Sequence, residues 1–401
     1  MPAATELTLA QARKIILLSQ KIHCPMGEGD EAVLAVIEQL GYVQIDSISV
    51  VQRAHHHTLW NRLNYYLPDD LQALEARKQV FEYWSHAAAY LPMRDFRFSL
   101  PKKQAIASGQ KHWHEKDPKL AKTVLQRIAA EGPLQAKDFE HKRAVKNSAW
   151  WDWKPAKKAL EQLFMEGELM VCKRQGFQKV YDLSERVLPD NVDISTPTIT
   201  EYHQHLIRQF LRAQGFGTPA EMSYLLRGHK NVIMRECIEL LEEGQLIKVR
   251  VKQQEYYALP NVIDLLQQNL SRNKVKILSP FDNLLIQRKR LQELFNFNYQ
   301  IECYVPAEKR QYGYFSLPLL WGQNFAGRMD TKIDRLTSIL HIKNLHIESS
   351  KKSDFLQALH PALLEFMQFN QARTIQVHKI STDGLDISRA QISAFESNFC
   401  E

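Results

Sequence analysis

The chain has 401 residues, of which 44% are hydrophobic and 24% charged, an ordinary composition for a globular protein of several domains. No apolar run approaches the roughly 20 residues of a membrane span, and no basic start precedes an apolar stretch, so we expect neither a membrane anchor nor a secretory signal. The five cysteines lie far apart without a Cys-x-x-Cys pair. We therefore predict neither a disulfide framework nor a zinc knuckle, and we expect a cytoplasmic protein.

The net charge of +7 is concentrated in two stretches of the chain. Residues 118–190 hold 14 basic and 10 acidic residues, and residues 271–350 hold 12 and 7. Two basic stretches fit two contact zones on a polyanion. An ordinary protein with moderate solvated charge would show the same pattern, so charge alone leaves both interpretations open.

The N-terminal segment predicts two helices and then a strand. Residues 8–11, Thr-Leu-Ala-Gln, form a capping box, and residues 31–40 predict a helix that ends at Gly41. In the strand that follows, alternation points Gln44 and Asp46 away from the core. A carboxylate and an amide at this spacing can hold a water, with the aspartate accepting its proton or facing a developing positive charge. The triplet alone does not distinguish such a site from a solvated strand face.

Residues 53–62 form a basic and aromatic cluster, with two arginines, three histidines and a tryptophan among ten residues. These side chains could contact phosphates and stack on bases. A metal site is disfavoured, because adjacent histidines on a helix point 100° apart and no carboxylate is spaced to complete it.

A repeat at an offset of 77 residues occupies the middle of the chain. Residues 156–171 and 233–248 each carry an apolar stripe at helical spacing that ends at a glycine, Gly167 or Gly244, before two short strands. In the second copy, residues 218–221 (Thr-Pro-Ala-Glu) predict the start of an earlier helix. Three helices and a two-stranded wing are the winged-helix pattern, whose third helix commonly enters a DNA groove. A helical interaction module would have the same shape.

The last third predicts a β-rich domain with one helix, near residues 354–368. Residues 299–305 and 312–320 predict a β-hairpin, with Lys309 and Arg310 at its tip. Before it, Ser-Pro-Phe-Asp-Asn predicts a turn that leads to a basic helix, in which Asp282 either caps the helix or has a functional role. The predicted segments are 1–117, 118–195, 196–270 and 271–401, the first being a divergent winged-helix unit.

Several enzyme classes find no support in the motifs. The sequence has no glycine-rich phosphate loop, no nucleophile elbow, no His-Glu-x-x-His and no cysteine beside an evident base.

Together these stretches resemble the YcaQ/AlkX-type winged-helix DNA glycosylases, bacterial enzymes that unhook interstrand crosslinks. The resemblance covers roughly residues 8–380. Its motifs occur in this order: Gly41-Tyr-Val-Gln-Ile-Asp-Ser47, Arg53-Ala-His-His-His-Thr-Leu-Trp-Asn-Arg62, Leu278-Ser-Pro-Phe-Asp-Asn283, Arg288-Lys-Arg290, Tyr304-Val-Pro-Ala-Glu-Lys-Arg310, Tyr312-Gly313 and Gly327-Arg-Met-Asp330.

The resemblance implies an α+β, mainly α fold, with three tandem winged-helix units in a C-shape and a C-terminal β-rich domain. This chain has the Gln-x-Asp form of the family's catalytic motif, which assigns catalysis to Gln44 and Asp46. A DNA-contacting hairpin in the family is carried over to the segment around Lys309. No metal or cofactor is expected. The expected DNA-binding residues are Arg53, His56, Arg62, Arg288, Arg290, Lys309, Arg310 and Arg328.

The expected activity is hydrolysis of the N-glycosidic bond of N7-alkylated purines in double-stranded DNA, including the unhooking of crosslinks. Because no lysine lies in the Gln-x-Asp motif, we expect a monofunctional enzyme that leaves an abasic site. We expect a monomer associated with the nucleoid. The alternatives are a non-enzymatic winged-helix DNA-binding protein, such as a transcription regulator, and a helical scaffold for protein partners.

Overall fold

The computed structural model describes residues 4–110, 117–139, 153–382, 385–386 and 388–399. Within them the α-helices are Leu9–Ser19 (α1), Gly29–Leu40 (α2), Ala54–Trp60 (α3), Pro68–Ala76 (α4), Leu100–Ala107 (α5), Pro118–Glu131 (α6), Trp153–Glu166 (α7), Ser184–Val187 (α8), Ile199–Gln214 (α9), Pro219–Met222 (α10), Lys230–Glu242 (α11), Arg288–Phe295 (α12), Lys352–Phe369 (α13) and Arg389–Glu396 (α14). Short 3-10 helices are Met93–Ser99, Ala136–Phe139, Pro260–Gln267, Ala307–Lys309 and Ser397–Phe399.

The β-strands of the same residues are mostly short. They are Thr5–Leu7 (β1), Val43–Gln44 (β2), Val80–Trp84 (β3), Ala88–Pro92 (β4), Leu169–Gln175 (β5), Gln178–Leu183 (β6), Phe216–Gly217 (β7), Ile247–Val251 (β8), Gln254–Ala258 (β9), Val275–Ile277 (β10), Ser316–Trp321 (β11), Asn324–Asp334 (β12), Ile339–Ile347 (β13), Thr374–Val377 (β14), Ile380–Thr382 (β15) and Leu385–Asp386 (β16).

The chain forms two compact units. One, which we call the core unit, comprises Met1–Tyr66 and Leu206–Glu401, and the other, the inserted unit, comprises Leu67–His205. These units do not follow the boundaries predicted near residues 117, 195 and 270. The division into four segments therefore remains a prediction.

The inserted unit contains the first copy of the predicted repeat. Helix α7 ends before Gly167, which has a φ of +89°, and the antiparallel pair β5 and β6 follows. Leu134 bridges to Tyr181 of β6, so the segment after α6 also joins this pair. Apolar side chains of α6, α7 and β5 pack into one core with Phe81 and Phe96. Residues 140–152, which belong to the predicted segment 118–195, lie outside the described residues.

The core unit contains the second copy and a small sheet. The predicted capping box at α10 is confirmed, because Thr218 accepts from the Glu221 backbone and the Glu221 carboxylate accepts from Thr218. Strands β8 and β9 form the predicted antiparallel pair after α11. Strand β1 extends this sheet in parallel to β8, so that its order is β1-β8-β9-β7.

A larger sheet fills the C-terminal part of the core unit. Its order is β10-β11-β12-β13-β15-β16, with β14 paired to β13. Helix α13, which confirms the helix predicted near residues 354–368, packs its apolar side chains against the sheet and shares one core with it. Val51 belongs to the same core, which brings the segment after the Gln-x-Asp motif to this sheet.

The predicted hairpin with Lys309 and Arg310 at its tip is wrong. Strand β11 pairs with β10 and β12, and residues 299–305 form no strand. The buried Glu302 carboxylate accepts hydrogen bonds from the backbone N–H groups of residues 311–313, at 2.8–3.0 Å. These donors are therefore satisfied by a side chain and need no partner strand. Lys309 lies in a loop with a single 3-10 turn.

Two further features bear on expectations from the sequence. Among the described residues no helix is long and apolar enough to cross a membrane. The four described cysteines are unpaired thiols, and Cys400 lies outside the described residues.

Candidate active site

The Gln-x-Asp segment leaves helix α2 through a sharp turn at Gly41. Gly41 has a φ of +79°, and a Cβ atom there would overlap the Gln209 side chain, so only glycine fits without a shift. The observed strand, β2, is shorter than the predicted one and comprises only Val43–Gln44. Gln44, which was expected to point away from the core, is buried with 7% of its surface exposed, whereas Asp46 is half-buried.

Gln44 and Asp46 are in direct contact. The Gln44 side chain donates a hydrogen bond to the Asp46 carboxylate, and Oδ1 of Asp46 also accepts from the Ile48 backbone N–H at 2.8 Å. Burial raises the pKa of the Asp46 carboxyl above its ordinary value, and these two hydrogen bonds oppose that shift only in part. The carboxylate is therefore oriented and more basic than a solvated aspartate.

A loop of residues 302–315, which we call the Tyr304 loop, lies close to this carboxylate. Burial first, and the negative charge of Asp46 second, raise the pKa values of the Cys303 thiol and the Tyr304 hydroxyl. Tyr304 itself is 75% exposed. Tyr304 begins one of the motifs of the resemblance but had no assigned role, because a tyrosine in an apparent strand is ordinary and its exposure depends on the loop.

Arg62 does not lie where a DNA contact requires it. Its guanidinium is fully buried and forms a bidentate pair with Asp282, at 2.7 and 2.8 Å, and it also donates to the Gln20 and Thr58 carbonyls. Asp282 is equally buried and so is neither a helix cap nor a surface group, since α12 begins six residues later. The two buried charges therefore pair with each other inside the protein.

Arg290 and Arg328 are also buried and bonded internally. Arg290 pairs with Glu221 at 2.8 Å and donates to the carbonyl of Phe216. Arg328 pairs with Glu348, and its guanidinium lies 3.9 Å from the ring centroid of Tyr312. We therefore withdraw Arg62, Arg290 and Arg328 as DNA contacts, because none has a free face for a phosphate.

The other predicted DNA contacts lie at or near the surface of the core unit. Lys309 is exposed, whereas Arg310 is partly buried and donates from Nε to the Glu302 and Val305 carbonyls. Arg288 is partly buried, donates to the Leu285 and Pro280 carbonyls and lies 4.6 Å from the Tyr299 ring centroid. Arg53 precedes α3 and is half-buried.

Two of the three consecutive histidines, His56 and His57, have different hydrogen-bond partners. His56 Nδ1 lies 2.6 Å from the Tyr66 hydroxyl, and His57 Nε2 lies 2.8 Å from the Ile277 carbonyl. Burial lowers the pKa of each of these two side chains to about 4, so both are neutral at pH 7. His56 therefore carries no positive charge toward a phosphate. In the described part of the chain, no group of three or more metal-ligating side chains comes together.

The protein therefore has a mixed helix and strand fold, and it holds the hydrogen-bonded pair of Gln44 and the half-buried Asp46. A family model described as DNA glycosylase AlkZ-like matches residues 37–369, so the chain belongs to this family of DNA glycosylases and acts on DNA. Among solved structures, Streptomyces sahachiroi DNA glycosylase AlkZ is similar, with a TM-score of 0.64 and 12% sequence identity. The match covers 94% of this chain and 100% of that chain, which establishes the likeness of the fold.

Proposed function

We propose that this glycosylase hydrolyses the N-glycosidic bond of N7-alkylated purines and unhooks interstrand crosslinks made through such bases. The observation that carries the proposal is the hydrogen-bonded pair of Gln44 and the half-buried Asp46. The pair offers one carboxylate and one amide. These two groups are sufficient to release an N7-alkylated base, because such a base leaves without a strong general acid.

Alkylation at N7 places a positive charge on the purine, so the base departs as a neutral group and needs no strong general acid. The sugar that remains develops oxocarbenium character. The Asp46 carboxylate would stabilise that charge and accept a proton from the attacking water, while Gln44 holds the carboxylate, the water or both. A positioned base contributes on the order of 10²–10⁴ in rate.

Crosslinked purines add a geometric demand. A base tethered to both strands cannot swing fully into a deep pocket, as ordinary base flipping requires. Asp46 is only half-buried, which favours a site that reaches the sugar at the surface of the protein. The Gln-x-Asp segment has no lysine to form a Schiff base, so we propose a monofunctional reaction that leaves an abasic site.

We further propose that α6, α7 and the β5–β6 pair, and likewise α9 to α11 with β8 and β9, are winged-helix units that bind the duplex. The order of their elements supports this assignment. With several units in tandem, one copy would supply enough contacts, so we propose a monomer at the nucleoid. Light scattering of the protein with and without duplex DNA would measure the number of copies. Family membership favours the enzyme over a regulator that only binds DNA.

The first experiment incubates the protein with a duplex carrying a single N7-methylguanine. We expect strand breaks only after alkali treatment, because an abasic site without strand cleavage is the product. Asp46→Asn should lower the excision rate by roughly 10²-fold or more and leave DNA affinity nearly unchanged. Asp264→Asn, which changes an exposed aspartate of the same unit, is the matched control. Excision by Asp46→Asn at the wild-type rate would remove Asp46 from the mechanism.

A further inference from the structure

Tyr304 is one of the most exposed large side chains of the core unit, with 75% of its surface open. Single exposed apolar residues are common and need no explanation by themselves. This ring differs from the others in two respects, namely its neighbour and the rigidity of the loop that carries it.

The first respect is its place within electrostatic range of Asp46, the proposed catalytic acid. The Asp46 charge acts on Tyr304 and on Cys303 before it. Backbone contacts agree, because the segment after Asp46 bonds to β12 through the Ile333 N–H and the Val50 carbonyl at 2.9 Å. Strand β12 also holds the loop, since Asp330 accepts from the Phe315 N–H at 2.8 Å.

The second respect is the rigidity of the Tyr304 loop. The carboxylate of Glu302, 7% exposed, binds three consecutive backbone N–H groups on the far side of the loop. Arg310 ties the near side to the Glu302 and Val305 carbonyls, and its guanidinium lies 5.0 Å from the Tyr314 ring centroid. A loop fixed in this way holds an exposed ring in one place at little further entropic cost on binding.

We propose that Tyr304 stacks on a DNA base next to the reacting nucleotide and keeps the alkylated nucleotide unstacked against Asp46. The proposal rests on the proposed function, because it concerns the same nucleotide. An aromatic ring suits this role because every base has a π face, so stacking tolerates any flanking sequence. The neighbouring Lys309 would contact phosphate and cannot replace a stacked ring.

The test compares Tyr304→Ala and Tyr304→Phe with the wild type in single-turnover excision of N7-methylguanine. Two substrates are used. In one the lesion is paired with cytosine, and in the other the lesion lies opposite an abasic site, where the alkylated base is already less stacked. Tyr304→Ala should lose about 10-fold or more on the paired lesion and clearly less on the unpaired one. Tyr304→Phe should keep most of the activity on both. The control, Tyr65→Ala, changes another exposed tyrosine of the core unit and should leave both rates unchanged.

A second readout follows the stacking itself. A 2-aminopurine placed beside the lesion should change its fluorescence when the wild type or Tyr304→Phe binds, and not when Tyr304→Ala binds. Equal loss by Tyr304→Ala on both substrates, equal loss by Tyr304→Phe, or no loss at all would overturn the stacking role. If the wild type excised no N7-methylguanine, the proposed substrate would fail, and the fluorescence change on binding would still decide the role of Tyr304.

Discussion

In the proposed reaction Asp46 must be ionised to stabilise a developing sugar cation, yet its surroundings favour the neutral acid. Burial raises its pKa, and the hydrogen bonds from Gln44 and Ile48 lower that pKa again only in part. A carboxyl with a raised pKa in the folded state contributes stability that is fully present below its unfolded pKa. That contribution is lost as the pH rises through the folded pKa, so the ionised Asp46 that the proposed reaction requires is the form less favourable for folding.

Asp46→Asn should therefore be more stable than the wild type at pH 7 while losing most excision activity. The difference in melting temperature should shrink at low pH, below the pKa of the Asp46 carboxyl, because the wild-type side chain is then protonated as well. Thermal unfolding at both pH values measures this, together with a pH–rate profile in which wild-type activity falls on the acid side as Asp46 is protonated. A lower melting temperature of the variant at pH 7 would contradict the raised pKa.

Arg62 provides a second test at the same scale, because the structure changes its assignment from DNA contact to internal ion pair. Removing it leaves Asp282 buried without its cation, which typically costs about 3–5 kcal/mol in the free energy of unfolding. We expect this loss for Arg62→Ala in urea unfolding, whereas Lys309→Ala, at an exposed position, should stay within about 0.5 kcal/mol of the wild type. A stable Arg62→Ala protein with weakened DNA binding would restore the original assignment.

At the scale of an element, the Tyr304 loop depends on a glycine that the sequence pattern alone does not explain. Gly313 has a φ of +133°, and a Cβ atom there would overlap the Asp330 carboxylate, which holds the end of the loop. Segments rich in aromatic and apolar residues on both sides of a polar turn are typical of a hairpin, and here they accompany a loop instead. The deciding interaction is the Glu302 carboxylate, which replaces the strand partner.

Gly313→Ala should displace Asp330 or the loop, and with it Tyr304. We expect roughly a tenfold loss of excision rate with the fold retained, because a small misplacement near the reacting atoms is costly in rate. Gly132→Ala is the matched control, since Gly132 also has a positive φ but has open space around it. Equal excision by the two variants would mean that the loop does not assist the reaction.

At the scale of the whole molecule, the sequence predicts well those features that neighbouring residues decide. The capping boxes at α1 and α10 join side chains three residues apart, and Gly41 ends α2 as expected. Features decided by distant residues could not be predicted in this way. The local sequence does not distinguish a surface arginine from a buried one. Arg62 is buried because it pairs with Asp282, which lies 220 residues further along the chain.

The inserted unit separates the two parts of the core unit during synthesis. At about 5–20 residues per second, the ribosome needs roughly 10–45 s between Arg62 and Asp282, which lie 220 residues apart. Throughout that interval the first 66 residues have none of the partners that the C-terminal part supplies, so the apolar face of α1 stays open to water or to a chaperone. Leu67–His205, whose own core lies within its boundaries, can fold meanwhile. Asp46 thus gains the surroundings that the C-terminal part supplies only when the last third of the chain has been made.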